Sequence, residues 1–280
     1  MTRLVLTLSS ADRPGIVHEV SGAILDWGGN IVESAQFHDP DTGRFFMRVA
    51  FEGEGAQAGF DAALAPITAR YAAEASVHDA ARRMRTLVLV SKTGHCLNDL
   101  LYRARIDALP VRLVGVASNH EDWRARTQAE DLPYWHLPLS PETKPAQEAR
   151  LAALIEEEDV ELVVLARYMQ VLSDGLSRAL AGRVINIHHA FLPSFKGARP
   201  YHRAHARGVK MIGATAHYVT PDLDEGPIIE QDVVRVHHGM SPGELVAAGR
   251  DVEAQVLARA VALHAENRVL LNGERTVVFG

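Results

Sequence analysis

Val184-Ile185-Asn186-Ile187-His188-His189 is a short apolar run that ends in polar residues, and its reading decides the larger part of the fold. Val184 to Ile187 reads as a buried strand. Strand side chains alternate with period two, so Asn186 and His188 project to one face while Ile185 and Ile187 project to the other. An amide donor and an imidazole can therefore meet a single ligand. Downstream, Leu223-Asp224-Glu225-Gly226-Pro227-Ile228-Ile229 adds a carboxylate. Amide, imidazole and carboxylate together can stabilise an oxyanion, move a proton and hold the base in place, which is enough for acyl chemistry without a metal. On pattern alone, Asn-x-His reads equally as a strand end satisfied by local hydrogen bonds.

Working outward, Thr86 to Ser91, Arg112 to Ser118 and Leu162 to Ala166 are further β-rich apolar runs. Helical segments near Leu97 to Ala108, Thr143 to Glu158 and Ser173 to Ala181 separate them, and a long apolar helix is expected from Glu244 to His264. Such alternation predicts an α/β domain with a doubly wound, mostly parallel sheet covered on both faces. Ligands in these sheets bind beyond the carboxyl ends of the strands, where His188 falls. Asn272-Gly273 reads as the tight turn of a terminal hairpin.

The N-terminal part has a different rhythm. Arg3 to Ser9 reads as a strand, followed by the turn Ser10-Ala11-Asp12-Arg13-Pro14-Gly15, with Asp12 as the expected helix N-cap. Ile16, Val20, Ala23, Ile24 and Trp27 recur at helical spacing until Gly28-Gly29-Asn30. Ile31 to His38 should pair with Arg44 to Phe51, a second helix covers Phe60 to Tyr71, and Glu74 to His78 closes the sheet. The order βαββαβ is the ferredoxin-like, split βαβ arrangement. The polar segment Asp79 to Arg85 connects the halves, predicting domains at residues 1–81 and 82–280.

Composition agrees with two packed domains. The chain has 280 residues, 47% hydrophobic and 23% charged, enough apolar surface for real cores. A formal charge of -6 gives no reason to expect nucleic-acid binding. Cys96 is the only cysteine, which excludes an internal disulfide and a cysteine-based zinc site and suits a reducing compartment. The apolar run after Met1 is too short for a signal peptide or membrane span, so a cytoplasmic protein without membrane partners is expected.

Three blocks carry a resemblance: Asn186-Ile187-His188-His189-Ala190-Phe191-Leu192-Pro193-Ser194-Phe195, Gly213-Ala214-Thr215-Ala216-His217-Tyr218-Val219, and Leu223 to Ile229. In order and spacing they resemble the folate-dependent formyltransferase family across roughly Arg85 to Val236. Ser91-Lys92-Thr93-Gly94-His95-Cys96-Leu97 and Gly197-Ala198-Arg199-Pro200-Tyr201-His202 are most similar to its deformylase branch. That branch also carries an N-terminal ACT domain, which Thr2 to His78 resembles through Asp12 to Val17 and Gly28 to Ile31. The resemblance implies hydrolysis of 10-formyltetrahydrofolate to formate and tetrahydrofolate, with Asn186, His188 and Asp224 catalytic. It further implies that Met169, Gln170, Val171 and Leu172 bind the folate ring, with Gln170 where the family more often has arginine.

The same resemblance makes the folate the substrate and implies no cofactor. It implies a homodimer or homotetramer and an amino-acid effector bound near Asp12, Gly15, Ile16, Asn30 and Ile31. His189 is expected to alternate away from His188 and to pack behind it. His202, His205 and His217 lack a partner carboxylate or cysteine at a familiar ligand spacing, so no metal is expected. Arg199 and His202 are expected to shape the pocket mouth.

Glycinamide ribonucleotide transformylases hold a phosphate with a Gly-rich loop containing Ser-Asn, whereas Ser91 to Cys96 has a single glycine here. Methionyl-tRNA formyltransferases carry a C-terminal RNA-binding domain, which is not expected here. Water is then the most economical acceptor. The alternatives are transfer to an unidentified amine, or a catalytically inactive regulatory protein responsive to amino acids or folate.

Overall fold

Strand β1 (Thr2–Ala11) buries Leu4, Leu6 and Leu8 on one face, and strand β3 (Arg44–Gly53) buries Phe45, Met47, Val49 and Phe51 on the same side. The computed structural model, which describes residues 1–192 and 200–280, places helix α1 (Ile16–Asp26) and helix α2 (Gln57–Tyr71) over that face. With β2 (Asn30–Asp39) and β4 (Glu74–Asp79) the strands form an antiparallel sheet in the order β2-β3-β1-β4, the βαββαβ arrangement. Trp27, Phe51 and Phe60 meet edge-on or tilted, with ring centroids 4.6 to 5.9 Å apart. Asp12 does not cap α1. The cap position is Gly15, in a left-handed conformation with φ of 100°, and Asp12 pairs with His38 at 2.9 Å. Pro14 and Gly15 carry the chain round before the helix begins, so the aspartate lies too far upstream to reach its first amides.

The larger unit begins with β5 (Met84–Val90), α3 (His95–Arg105), β6 (Val111–Ser118), α4 (Arg124–Gln128) and β7 (Tyr134–His136). It continues through α5 (Lys144–Glu157), β8 (Leu162–Leu165), α6 (Asp174–Ala179), β9 (Val184–His188), α7 (Pro200–Ala206), β10 (Met211–Tyr218), β11 (Ile228–Arg235) and α8 (Pro242–Ala265). The seven-stranded sheet has the order β11-β10-β9-β8-β5-β6-β7. It is parallel from β9 to β7, while β10 runs antiparallel to both β9 and β11. All four residues of β8 are buried, as a strand covered on both faces requires. The chain order reverses beside β5, so the carboxyl ends of β5, β8 and β9 open onto one crevice.

The chain divides into two compact units, Met1–Arg82 with Glu266–Asn272 and Thr276–Gly280, and Arg83–Ala265 with Gly273–Arg275. The expected boundary near residue 81 is displaced by one, but the expectation that everything after it forms the second domain is not met. Charge explains the difference. Arg48 is 4% exposed on the sheet face opposite the helices, pairs with Glu33 at 3.1 Å and donates to the Glu266 carbonyl. Arg268 grips the same Glu33 at 2.8 Å, and Asn272 donates to Asp39 at 2.6 Å. A buried guanidinium needs partners that hydrophobic patterning does not reveal. The terminal hairpin joins β12 (Val269–Asn272) to β13 (Arg275–Val278), with Gly273 left-handed at φ of 63°. The segments Pro193-Ser194-Phe195 and Gly197-Ala198-Arg199, and with them the expected role of Arg199, lie outside the described residues.

Glu33 is held below the usual carboxylate range, first by the Arg268 hydrogen bond and then by the charges of Arg48 and Arg268, with burial opposing. Replacing Glu33 with Gln is expected to cost about 1.5–3 kcal/mol at neutral pH, the range for a hydrogen bond to a charged group. A depressed carboxylate contributes stability above its unfolded value of 4.5 and loses it as pH falls through its folded value. The gap between native and Glu33→Gln proteins in urea unfolding should therefore close under acid; a constant gap would mean that charge is not its source.

Candidate active site

The antiparallel register of β9 and β10 pairs Asn186 with His217 and His188 with Thr215. Asn186 Nδ2 lies 3.2 Å from His217 Nε2, and His217 Nδ1 lies 2.8 Å from the Tyr218 carbonyl oxygen. A carbonyl only accepts, so Nδ1 carries the proton and Nε2 accepts from the Asn186 amide. Burial lowers the His217 pKa and favours this neutral form. Asn186 is thereby oriented, with its second Nδ2 hydrogen free of that bond. Thr215, fully buried on β10, donates to the Ala190 carbonyl at 2.9 Å and accepts from Leu192 N at 3.0 Å. This clamp holds the chain that leaves His188.

Asp224 approaches from the loop between β10 and β11. Its Oδ1 lies 3.2 Å from His188 Nδ1 and 3.8 Å from His217 Nε2. The hydrogen bond from His188 lowers the Asp224 pKa against the opposing effect of burial, so the carboxylate is ionised and accepts from His188 Nδ1–H. Asp224 adopts a left-handed backbone with φ of 57°, which costs energy for a residue with a side chain. Gly226 makes that turn possible, because a Cβ there would overlap the Tyr218 carbonyl. The Pro227 carbonyl then accepts from Tyr218 N at 2.9 Å and closes the loop.

With Nδ1 committed to Asp224, His188 presents Nε2, which is buried and has no hydrogen-bond partner among the described residues. The ring lines a cavity of about 550 Å³ that also takes in Asn186, Asp224 and the loop after β8. In that loop Met169 and Val171 are 59% and 52% exposed, Leu172 is buried, and Gln170 is half-buried. They supply one wall of the cavity, as expected of a site for a flat heterocycle. Met169 N already donates to Ser91 Oγ at 3.0 Å, which removes that amide from any ligand contact. His202 also lines the cavity.

Behind this wall lies a charged group that the sequence pattern did not reveal. Glu253 on α8 is 1% exposed; it accepts from Tyr201 Oη at 2.6 Å, meets His95 Nε2 at 2.9 Å and lies 3.4 Å from Arg167 Nε. Burial would raise its pKa, but the His95 hydrogen bond and the Arg167 charge win, and Glu253 is held below the usual range. His95, Cys96 and Glu253 offer donor atoms within 4.8 Å of one another, the one such group with metal-ligand spacing among the described residues. Burial pushes the Cys96 thiol well up, and Glu253 already has three partners, so the group reads as an ion-pair network.

His189 differs from expectation. Its ring stacks on His188 at a centroid distance of 5.1 Å and lines the same cavity, because β9 ends at His188 and strand alternation ends with it. In the smaller unit, Ile16 lies in the core, while Asn30 and Ile31 are exposed at the start of β2. Gly15 sits against the Tyr71 hydroxyl, which donates to Glu19 at 2.8 Å.

Residues 84–261 match the family described as formyl transferase. A formyltetrahydrofolate deformylase of Corynebacterium sp. (strain P-1) is 50% identical, aligned over 99% of this chain and 98% of its own. A formyltetrahydrofolate deformylase of Bacillus subtilis (strain 168) is 42% identical over 98% of this chain and 93% of its own. The crystal structure of formyltetrahydrofolate deformylase from Burkholderia mallei superposes with a TM-score of 0.97 at 48% identity, covering 100% of both chains. With the predicted α/β fold in place around an Asn, His and Asp cluster, the chain belongs to the formyltetrahydrofolate deformylases of the formyl transferase family.

Proposed function

We propose that the protein hydrolyses 10-formyltetrahydrofolate to formate and tetrahydrofolate, with Asn186, His188 and Asp224 as its catalytic groups. The observation that carries this reading is the His188–Asp224 pair, 3.2 Å apart, leaving an unpartnered Nε2 in a cavity shared with Asn186. Water adds to the formyl carbon, and the carbonyl oxygen becomes an oxyanion. The Asn186 amide and the protonated His188 donate to it. Asp224 orients His188 and holds the attacking water. As the C–N bond breaks, a proton passes to the departing nitrogen and the added water remains in formate. The loop of Met169, Gln170, Val171 and Leu172 packs against the folate ring system.

Water is favoured over an amine by what stands at the start of α3. Trp123 donates to the Lys92 carbonyl at 3.1 Å, and its indole lies where a Cβ on Gly94 would be. The ionised Glu253 is hydrogen-bonded to His95, the first residue of α3. A buried carboxylate within 4.8 Å of the Cys96 sulfur in the first turn of α3 opposes the approach of a phosphate-bearing acceptor.

The smaller unit is read as an ACT domain that assembles the protein as a homodimer or homotetramer. Its edge strand β2 exposes Val32 and Phe37, each 43% exposed, which suits pairing with another copy. The Glu19 carboxylate, held by Tyr71 and by Arg70 at 2.7 Å, occupies the first turn of α1 and weighs against an anionic ligand there. An amino-acid effector remains part of the proposal only through a difference in affinity between active and inactive arrangements.

Purified protein should release formate from 10-formyltetrahydrofolate with no amine supplied. Formate that appears only with an amine would transfer the assignment to a formyltransferase, and folate binding without turnover to a regulatory protein. His188→Ala and Asp224→Asn should each lower kcat by about a hundredfold or more, the scale of an oxyanion or proton-transfer contribution. The double variant should fall little further, because groups acting as a unit do not add. Near-native turnover in a folded His188→Ala protein would remove this mechanism.

Light scattering should give a mass of two or four chains, reduced in a Val32→Glu, Phe37→Glu variant. A native mass of one chain would end the assembly reading. Turnover unaffected by methionine or glycine would leave the unit as a structural dimeriser.

A further inference from the structure

His189 lines this cavity without a part in the mechanism, and its surroundings are restrictive. Its Nδ1 meets Arg167 Nη1, and its ring stacks on His188 with an interplanar angle of 24°. A guanidinium only donates and keeps its proton at any accessible pH, so Nδ1 must be the acceptor and the remaining ring proton must sit on Nε2. Arg167 is itself held. Its backbone is left-handed with φ of 65°, its carbonyl accepts from Ser91 N at 3.2 Å, and its Nε faces the buried Glu253. Glu253 is fixed in turn by Tyr201 and His95.

We propose that Glu253, Arg167 and His189 form a positioning relay that locks His189 as a neutral ring against His188, the imidazole that serves the mechanism. The relay rests on the reading of His188 as the working imidazole. Every neighbour contributes a definite sign. Arg167, from the loop after β8, and His188, on β9, oppose a charge on His189; Glu253 on α8 and Asp224 before β11 favour one. Tyr201 on α7 sits 6.3 Å away, and burial pushes its hydroxyl pKa up, so it stays neutral. Burial, then Arg167, then His188 prevail, and the His189 pKa is pushed down to about 4. The consequence for chemistry is specific. A cation stacked on His188 would oppose protonation of the ring that has to donate to the oxyanion, and burial together with Arg167 prevents that cation from forming.

The native protein tests the relay before any substitution. In isotope-labelled histidine NMR, His189 should show the Nε2–H form and stay uncharged down to about pH 5, well below the ordinary histidine value. An Nδ1–H form, or titration in the ordinary range, would overturn the proposal, and this readout needs no turnover. In a folded Arg167→Met variant the His189 pKa should rise above its native value, while burial still holds it below the ordinary one. Its turnover between about pH 5 and 6.5, relative to that at about pH 8, should fall three- to tenfold further than that of the native protein. Adding His189→Phe, which keeps an uncharged stacked ring, should restore the native pH profile. A fall that persists in the double variant would overturn the relay and make Arg167 a structural residue. Failure of the native protein to release formate would defeat the functional reading, while the ring form seen by NMR would still decide the lock.

Discussion

The antiparallel pairing of β10 with β9 is the constraint on which the rest of the site depends. A purely parallel sheet would have ended at β9 with Asn186 and His188 on an open edge. The extra strand instead sets His217 opposite Asn186 and Thr215 opposite His188. One residue of slip would turn both side chains to the wrong face, so buried Ala214 and Ala216, packed among the core residues, fix the site through the register. The same strand ends where the Asp224 loop begins, and Gly226 lets that loop lie directly on the Tyr218 carbonyl. Two backbone positions in the left-handed region, Arg167 and Asp224, flank the imidazoles. Strain of this kind persists where surrounding contacts over-determine it, here the bonds of Ser91 and Tyr218 to their loops.

Three histidines sit close together, and the surroundings give each a different role. His217 is tied by its Nδ1 proton to a carbonyl and serves Asn186 as an acceptor. His189 gives its Nδ1 lone pair to a guanidinium. His188 has the Asp224 carboxylate 3.2 Å from one nitrogen and turns the other to the cavity. Because the ordinary histidine value lies near neutrality, a cluster left to itself would share protons across all its rings. Fixed partners and burial hold two of the three rings neutral.

The parts of this architecture legible in the sequence are those governed by period and burial. The apolar runs at β5, β8 and β9 announced the parallel sheet, and alternation along β9 placed Asn186 and His188 together. Asp224 was legible only by resemblance, since 36 residues separate it from His188 and its approach depends on a left-handed turn. His189 was misread because alternation was carried one residue past the strand. Glu253, Arg167 and His95 come from a helix, a loop and a helix start, and no local pattern links them. The C-terminal segment was assigned to the wrong unit for a related reason: Arg48 looks like an ordinary strand residue until its burial calls for Glu33 and the Glu266 carbonyl.

Glu253 joins these observations. A carboxylate 1% exposed to solvent is costly unless its charge is answered, and it is answered by His95 at the start of α3, by Tyr201 on α7 and by Arg167 beside the imidazoles. Gly249, one turn before it on α8, leaves room for the Tyr201 ring that a larger residue would displace. The ion that meets His95 at the start of α3 is therefore also the ion that lies against Arg167. Exclusion of an anionic acceptor and control of the proton inventory around His188 then draw on the same buried charge, and a change at Glu253 cannot alter one without disturbing the other.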